Sequence, residues 1–212
     1  MRGEPSCPRC GGRVRAPGLF ADRWSCPRHG AVPPLQPVLP PDVEVLSVVV
    51  RQAVVPVWML WPLPVGRLYT GVAAAGDDLG GTRAVALACS GPVAQGGGTE
   101  EILLIAEEPG VGLGAYYAGI EGPGPGAELN PDKPAQAQVL AAGLPVSLWR
   151  LDHAPADRAV FVGEALGVRL WIVVRPESSG VLLHEDLVLT DLREAGAEVE
   201  LLPCGALSPT LL

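Results

Sequence analysis

Apolar residues occur in short blocks along this chain, separated by glycine, proline and acidic turns, and each block predicts one element. Residues 43–51 (VEVLSVVVR) are β-branched and read as a strand. Residues 67–74, 84–89 and 101–106 read as three more strands, bounded by GDDLGG, GPVAQGGG and EEPG. Residues 133–142 (KPAQAQVLAA) form the first segment with good helix formers after a proline and predict a helix. Residues 146–151 and 170–174 return to strand character. Residues 184–195 read as a helix closed by Gly196, and residues 198–202 as a last short strand. This alternation predicts an α/β or α+β body with a mixed sheet.

Charge divides the chain more sharply than hydropathy does. Residues 1–30 carry six arginines against Glu4 and Asp22, a net of +4, whereas the remainder is −12. Between them AVPPLQPVLPPD places prolines at 33, 34, 37, 40 and 41, which favours an extended, semi-rigid spacer. The expected division is a module at 1–30, a proline-rich linker at 31–42 and a body at 43–212. The length of 212 residues accommodates one domain plus a small module. With 48% apolar and 18% charged residues, wholesale disorder is excluded. The 27 glycines and 23 prolines follow no period, so they signal turns and a linker, not collagen. A net charge of −8 argues against a nucleic-acid surface running along the whole chain.

The start of the sequence, MRGEPSCPRCGG, has no apolar segment of the kind that directs secretion. The stretch at 53–65 is 13 residues long and contains three prolines, too short and too broken to cross a membrane. A cytoplasmic, reducing environment is therefore expected, in which the five cysteines are thiols or metal ligands.

Two turns in the basic module repeat one pattern. Cys7-Pro8-Arg9-Cys10-Gly11 is echoed by Cys26-Pro27-Arg28-His29-Gly30, with 15 residues between Cys10 and Cys26. Zinc takes four soft or borderline ligands tetrahedrally, and ligand pairs two residues apart reach one ion from a tight turn. The prolines pre-set the turns, and the glycines permit the backbone that follows. Residues 13–15 and 23–25 would be the strands of a hairpin bending near Pro17-Gly18. The module resembles a zinc ribbon, with Cys7, Cys10, Cys26 and His29 as a Cys3His set around zinc. Four protein ligands close the coordination shell, so the expected role is structural, not catalytic. Val14, Leu19, Phe20 and Trp24 are candidates to dock the ribbon on the body. Arg13, Arg15 and Arg23 offer a surface for an acidic protein partner or for nucleic acid.

Candidate chemistry in the body is weaker. Gly110, Gly112 and Gly114 with Ala115 match G-x-G-x-x-A after an apolar run, but Glu107, Glu108 and Pro109 intervene and two carboxylates would oppose a phosphate. A small-molecule ligand loop over residues 110–126, with Tyr116 and Tyr117 lining a pocket, is the alternative to a plain structural loop. The segment VWMLWPLP reads as core packing, with Trp58 and Trp61 as alternative partner anchors. Cys89 and Cys204 read as small buried hydrophobes. A Cys89 nucleophile with His153 or His184 as base and Asp152, Asp157 or Asp186 behind it is the catalytic alternative, with no supporting spacing. His184 reads as part of a helix start. The acidic pairs Asp77/Asp78, Glu100/Glu101 and Glu107/Glu108 read as solvated strand ends.

The chain resembles an uncharacterised actinobacterial family through its CPRCGG…CPRHG module, proline spacer, VWMLWPLP segment and LLIAEEPGVGLGAYYAG stretch. The resemblance implies no established activity. A phosphotransacetylase label sometimes attached to such chains finds no support here, since that class resembles a much larger two-domain fold, and no catalytic residue is carried over. The sequence thus points to a zinc-binding protein, non-catalytic, that binds or regulates through its ribbon. A small-molecule transferase or hydrolase and a nucleic-acid-associated factor are the alternatives.

Overall fold

Asp42 determines how the chain leaves its prolines. Its side chain accepts a hydrogen bond from the Glu44 N–H at 2.6 Å and caps a helix that follows. The computed structural model describes residues 3–19, 21–93, 98–122, 124, 125, 132 and 134–212. In chain order the elements are β1 (Ser25–Cys26), β2 (Gly30–Ala31), α1 (Val43–Gln52), β3 (Trp58–Leu60), β4 (Leu68–Asp77), β5 (Gly81–Pro92), β6 (Thr99–Glu107) and α2 (Leu113–Ala118). There follow β7 (Ala137–Ala141), β8 (Leu144–Arg150), β9 (Ala159–Ala165), β10 (Val168–Arg175) and β11 (Val188–Asp191). Short 3-10 helices occupy Glu177–His184, Gly196–Leu201 and Pro209–Leu211.

The expected strand at 43–51 is therefore α1. Its β-branched residues favour extended chain, but the cap and the three- and four-residue spacing of Val43, Leu46, Val49 and Val50 place one face on the core. The expected helix at 133–142 is β7. Lys133 lies outside the described residues, and the rest alternates, exposing Gln138 and Leu140 while burying Val139 and Ala141. The expected helix at 184–195 is instead the end of a 3-10 helix at His184, then β11 and a turn after it. Pairing with β7 on one side and β3 on the other outweighs its local preference. The expected strand at 198–202 falls largely in the Gly196–Leu201 3-10 helix.

Among the described residues, nine strands form one sheet in the order β3-β11-β7-β8-β9-β10-β6-β5-β4. All neighbours are antiparallel except β11 and β7. The fold is a mixed α+β architecture, with the large sheet curling so that β3 packs against β6. Both faces of its centre are buried. On β5, Val85, Leu87 and Cys89 enter one core, while Ala84, Ala86 and Ala88 enter the other. The larger residues meet α1, β3 and the Glu177–His184 helix. The alanine face is lower, so α2, Leu35 and Leu211 approach it closely. No helix among the described residues is long and apolar enough to cross a membrane.

The outer strand β4 is covered along much of its length. The spacer binds one end through Gln36 N–H to Ala74 O and Gly76 N–H to Pro34 O, each at 2.9 Å. The C-terminal segment binds the other through Tyr69 N–H to Pro203 O and Ser208 N–H to Thr70 O, at 2.9 and 2.8 Å. An edge that would otherwise recruit another strand is thereby satisfied within the chain.

Two hairpins turn on left-handed residue pairs, Ala142-Gly143 (φ 49° and 77°) and Leu166-Gly167 (φ 52° and 78°). A two-residue loop needs this backbone to match the twist of its strands. Leucine adopts it only against a clash of its Cβ with the carbonyl that follows.

Glu107, at the end of β6, is 2% exposed. Its Oε2 accepts from the N–H groups of Gly112 at 2.9 Å, Leu113 at 2.7 Å and Gly114 at 3.3 Å, and its Oε1 from Trp171 Nε1 at 2.8 Å. Burial pushes the carboxyl above its usual range, while the four donors hold it down. At Gly114 a Cβ would stand 2.2 Å from Trp171 Nε1, so only glycine lets α2 settle on this indole. Replacing Glu107 by Gln sets an amide N–H2 against donors whichever way it turns. Glu107→Gln is expected to destabilise the protein by about 1–3 kcal/mol, read from urea unfolding. Leu166→Asn, at an exposed position, is expected to stabilise it by up to about 1 kcal/mol in the same assay, since asparagine tolerates the left-handed region.

Candidate metal centre

The two Cys-Pro-Arg turns fold as matched knuckles. In the first, Gly11 N–H and Cys10 N–H donate to Cys7 O at 2.8 and 3.3 Å, and Gly11 takes a φ of 65°. In the second, β1 and β2 pair Cys26 with Gly30, whose φ is 69°. Each glycine thus supplies the left-handed residue that ends the turn. The expected hairpin is present as a pairing of Arg15 with Ser25 and a tip at Gly18 and Ala21; Phe20 lies outside the described residues.

The knuckles bring the four side chains together. Their ligand atoms, three Sγ and one imidazole nitrogen, lie within 4.8 Å of one another. Cys7 Sγ and Cys26 Sγ stand 3.5 and 3.6 Å from His29 Nδ1, and Cys10 Sγ stands 3.9 Å from Cys26 Sγ. With Zn–S near 2.3 Å and Zn–N near 2.0–2.1 Å, the edges of a tetrahedron are about 3.8 Å for S···S and about 3.6 Å for S···N. Cys7 and Cys26 are buried and Cys10 and His29 half-buried, with Val32 and Val14 packed beside them. Burial pushes the Cys7 thiol up to about 12. Burial opposes ionisation of Cys26 as well, but the N–H groups of Arg28 and His29, with the neighbouring Cys7 and His29 side chains, bring it down to about 6. Clustered thiolates repel one another, and a cation among them would offset that repulsion.

The ribbon is seated on the body by two seams. Ser6 and Leu35 exchange backbone hydrogen bonds at 2.9 and 2.8 Å, and Leu35 in turn bridges to Ala75 of β4. Arg9, between the first two cysteines, donates through Nε to Val111 O at 3.2 Å and through Nη2 to Gly110 O. Its stem lies where a Cβ on Gly112 would come within 2.7 Å. Tyr116 Oη would stand 3.0 Å from a Cβ on Gly11. The loop at 110–117 thus receives the ribbon.

That loop differs from a nucleotide cradle. The Gly112, Leu113 and Gly114 N–H groups that would face a phosphate are directed at Glu107. Gly110 offers its carbonyl to Arg9. Tyr117 is buried, donates to Leu211 O at 3.4 Å and meets Tyr116 edge-on at 5.2 Å. Burial raises its phenol well above the usual range. Residues 123 and 126 of the 110–126 stretch lie outside the described residues.

The other candidates disperse. Cys89 is fully buried, donates to Met59 Sδ at 3.3 Å, and has its thiol pushed up to about 12 by burial, the opposite of an activated nucleophile. His153, His184, Asp152, Asp157 and Asp186 are exposed. Cys204 is exposed, correcting the expectation that it is buried. Trp58 and Met59 are core residues of β3, and Trp61 packs partly buried beside them. Glu100 and Glu107 are not solvated strand ends: Glu100 forms a buried ion pair with Arg67, and Glu107 holds α2. Arg13, Arg15 and Arg23 face solvent, with Arg13 3.8 Å from Glu4 and Arg23 3.9 Å from Asp22. Arg9 was not singled out from sequence; its place between two ligands is the one local signal it carries.

No curated protein and no solved structure matches the chain. A family model does, over residues 1–211, and the chain accordingly belongs to the family of unknown function DUF6758.

Proposed function

We propose that the Cys7, Cys10, Cys26 and His29 group binds one zinc ion and that the protein is a non-catalytic binding or regulatory protein of a reducing cytoplasm. That three of the ligand-atom separations, 3.5, 3.6 and 3.9 Å, fall near the edges of a zinc tetrahedron carries this reading. The donor set fits as well: three thiols and an imidazole suit zinc and leave no position for water, which makes the ion structural. It would supply the charge that lets three clustered thiolates coexist, and it would fix both knuckles at once. Arg9 then serves as a positioning residue, tying the first knuckle to the body. The exposed Arg13, Arg15, Arg23 and Arg28 would give the ribbon's outer face a positive charge suited to an acidic protein partner.

Native mass spectrometry of untagged full-length protein is expected to give one zinc per chain, and Cys26→Ser to lose it. A metal-free, folded ribbon would overturn the reading. Arg9→Ala is expected to keep the zinc while raising amide hydrogen exchange at residues 110–114, because it removes the seam and leaves every ligand in place. Unchanged exchange there would deny Arg9 its positioning role.

A further inference from the structure

Where the ribbon, the spacer, α1 and the β4–β5 turn meet, the surface opens into a cleft of about 590 Å³. That is the size of a small-molecule site. Its walls are mainly apolar, with Val45, Val48 and Val49 from α1, Leu39 from the spacer, and Pro17 and Trp24 from the ribbon, beside the polar Gln36, Gln52 and Thr82. Val48 and Leu39 remain 43% and 48% exposed, so this apolar lining is left partly uncovered. Among the described residues, the charged groups lining the cleft are Asp77 and Asp78, both acidic. Asp77 is fixed at the turn, where its Oδ1 accepts from Leu79 N–H at 3.1 Å and Gly80 N–H at 2.7 Å. The nearby Arg83 is engaged by Glu108, with Nε 2.7 Å from the carboxylate.

We infer that this cleft binds a small organic cation with an apolar body, of the alkyl- or aryl-ammonium class. The carboxylates would meet the charge, the valines and Leu39 the apolar part, and the Trp24 ring would add a cation–π face. The inference rests on the zinc reading only in that Trp24 and Pro17 are held in place by the ribbon.

The test uses full-length protein whose zinc-to-protein ratio has been measured. Decyltrimethylammonium, kept below its micelle concentration, is titrated calorimetrically and by NMR against decyl sulfate, which has the same chain and the opposite charge. The Trp24 indole N–H signal is assigned from Trp24→Phe. The cation is expected to bind at least tenfold more tightly than the anion and to shift the Trp24 signal. Asp78→Asn, at an exposed position, and Asp77→Asn, which keeps the turn acceptor, are together expected to bring the ratio to within about threefold of one. Val48→Trp is expected to fill the cleft and abolish binding. Equal binding of the two amphiphiles, binding that leaves Trp24 unmoved, or no binding to zinc-loaded protein would each overturn the inference. Cation binding with the Trp24 shift in protein that contains no zinc would sustain the inference and overturn the zinc reading instead.

Discussion

The loop that receives Arg9 of the ribbon depends on one carboxylate. Glu107 ends a central strand and receives three consecutive backbone N–H groups and an indole N–H. Without an acceptor there, the first turn of α2 would bury unpaired donors, at about 1–3 kcal/mol each. With it, the six-residue helix needs no intrinsic stability of its own. Its position turns the Gly110 and Val111 carbonyls outward to Arg9 and sends Tyr117 inward to the C-terminal Leu211. The Arg9 seam, the loop and the Tyr117 contact to the chain end thus share one buried acid, while the Ser6–Leu35 seam stands apart from it.

The sheet makes that acid possible. A strand segment buried on both faces must carry apolar residues at every position, and residues 84–89 of β5 do so with small residues on one face and large on the other. The alanine face leaves room for a helix close to the sheet, near enough for Glu107 and Trp171 to meet its first turn. Bulky residues at Ala84, Ala86 or Ala88 would push α2 away and break the same hydrogen bonds.

How much of this was legible in the sequence follows how local each determinant is. The knuckles were readable because proline, two ligands and glycine act within five residues, and the α+β class because runs and turns alternate. The central strands were readable because each is a dense apolar run. Residues 137–141 and 188–191 were misread as helix because their strand state is set by neighbours far away in sequence. The Ala142-Gly143 and Leu166-Gly167 loops were missed because alanine and leucine seldom take a positive φ. Glu107 shares its strand parity with the buried Leu103 and Ile105, and that parity was the signal available. Arg9 meets Val111 across 102 residues of sequence, which no spacing rule reaches.

The ribbon and the body are stabilised by different means. Around its ligands the ribbon has a core of Cys7, Cys26 and Val32, far too small to offset the ordering of its residues. Its two seams to the body are made of backbone and arginine hydrogen bonds, each worth about 0.5–1.5 kcal/mol net. They can orient a module that is already folded but cannot fold it. On the zinc reading, an ion worth ~10–16 kcal/mol in comparable small modules fills that deficit. The two large cores contain no ribbon residue, drawing only Leu35 and Val38 from the spacer. Metal loss should therefore release the ribbon as a unit, uncovering the Gly110 and Val111 carbonyls and removing Trp24 from the cleft wall. The spacer's prolines would hold the freed module near its seat, so that rebinding of the ion restores the docked state at little entropic cost.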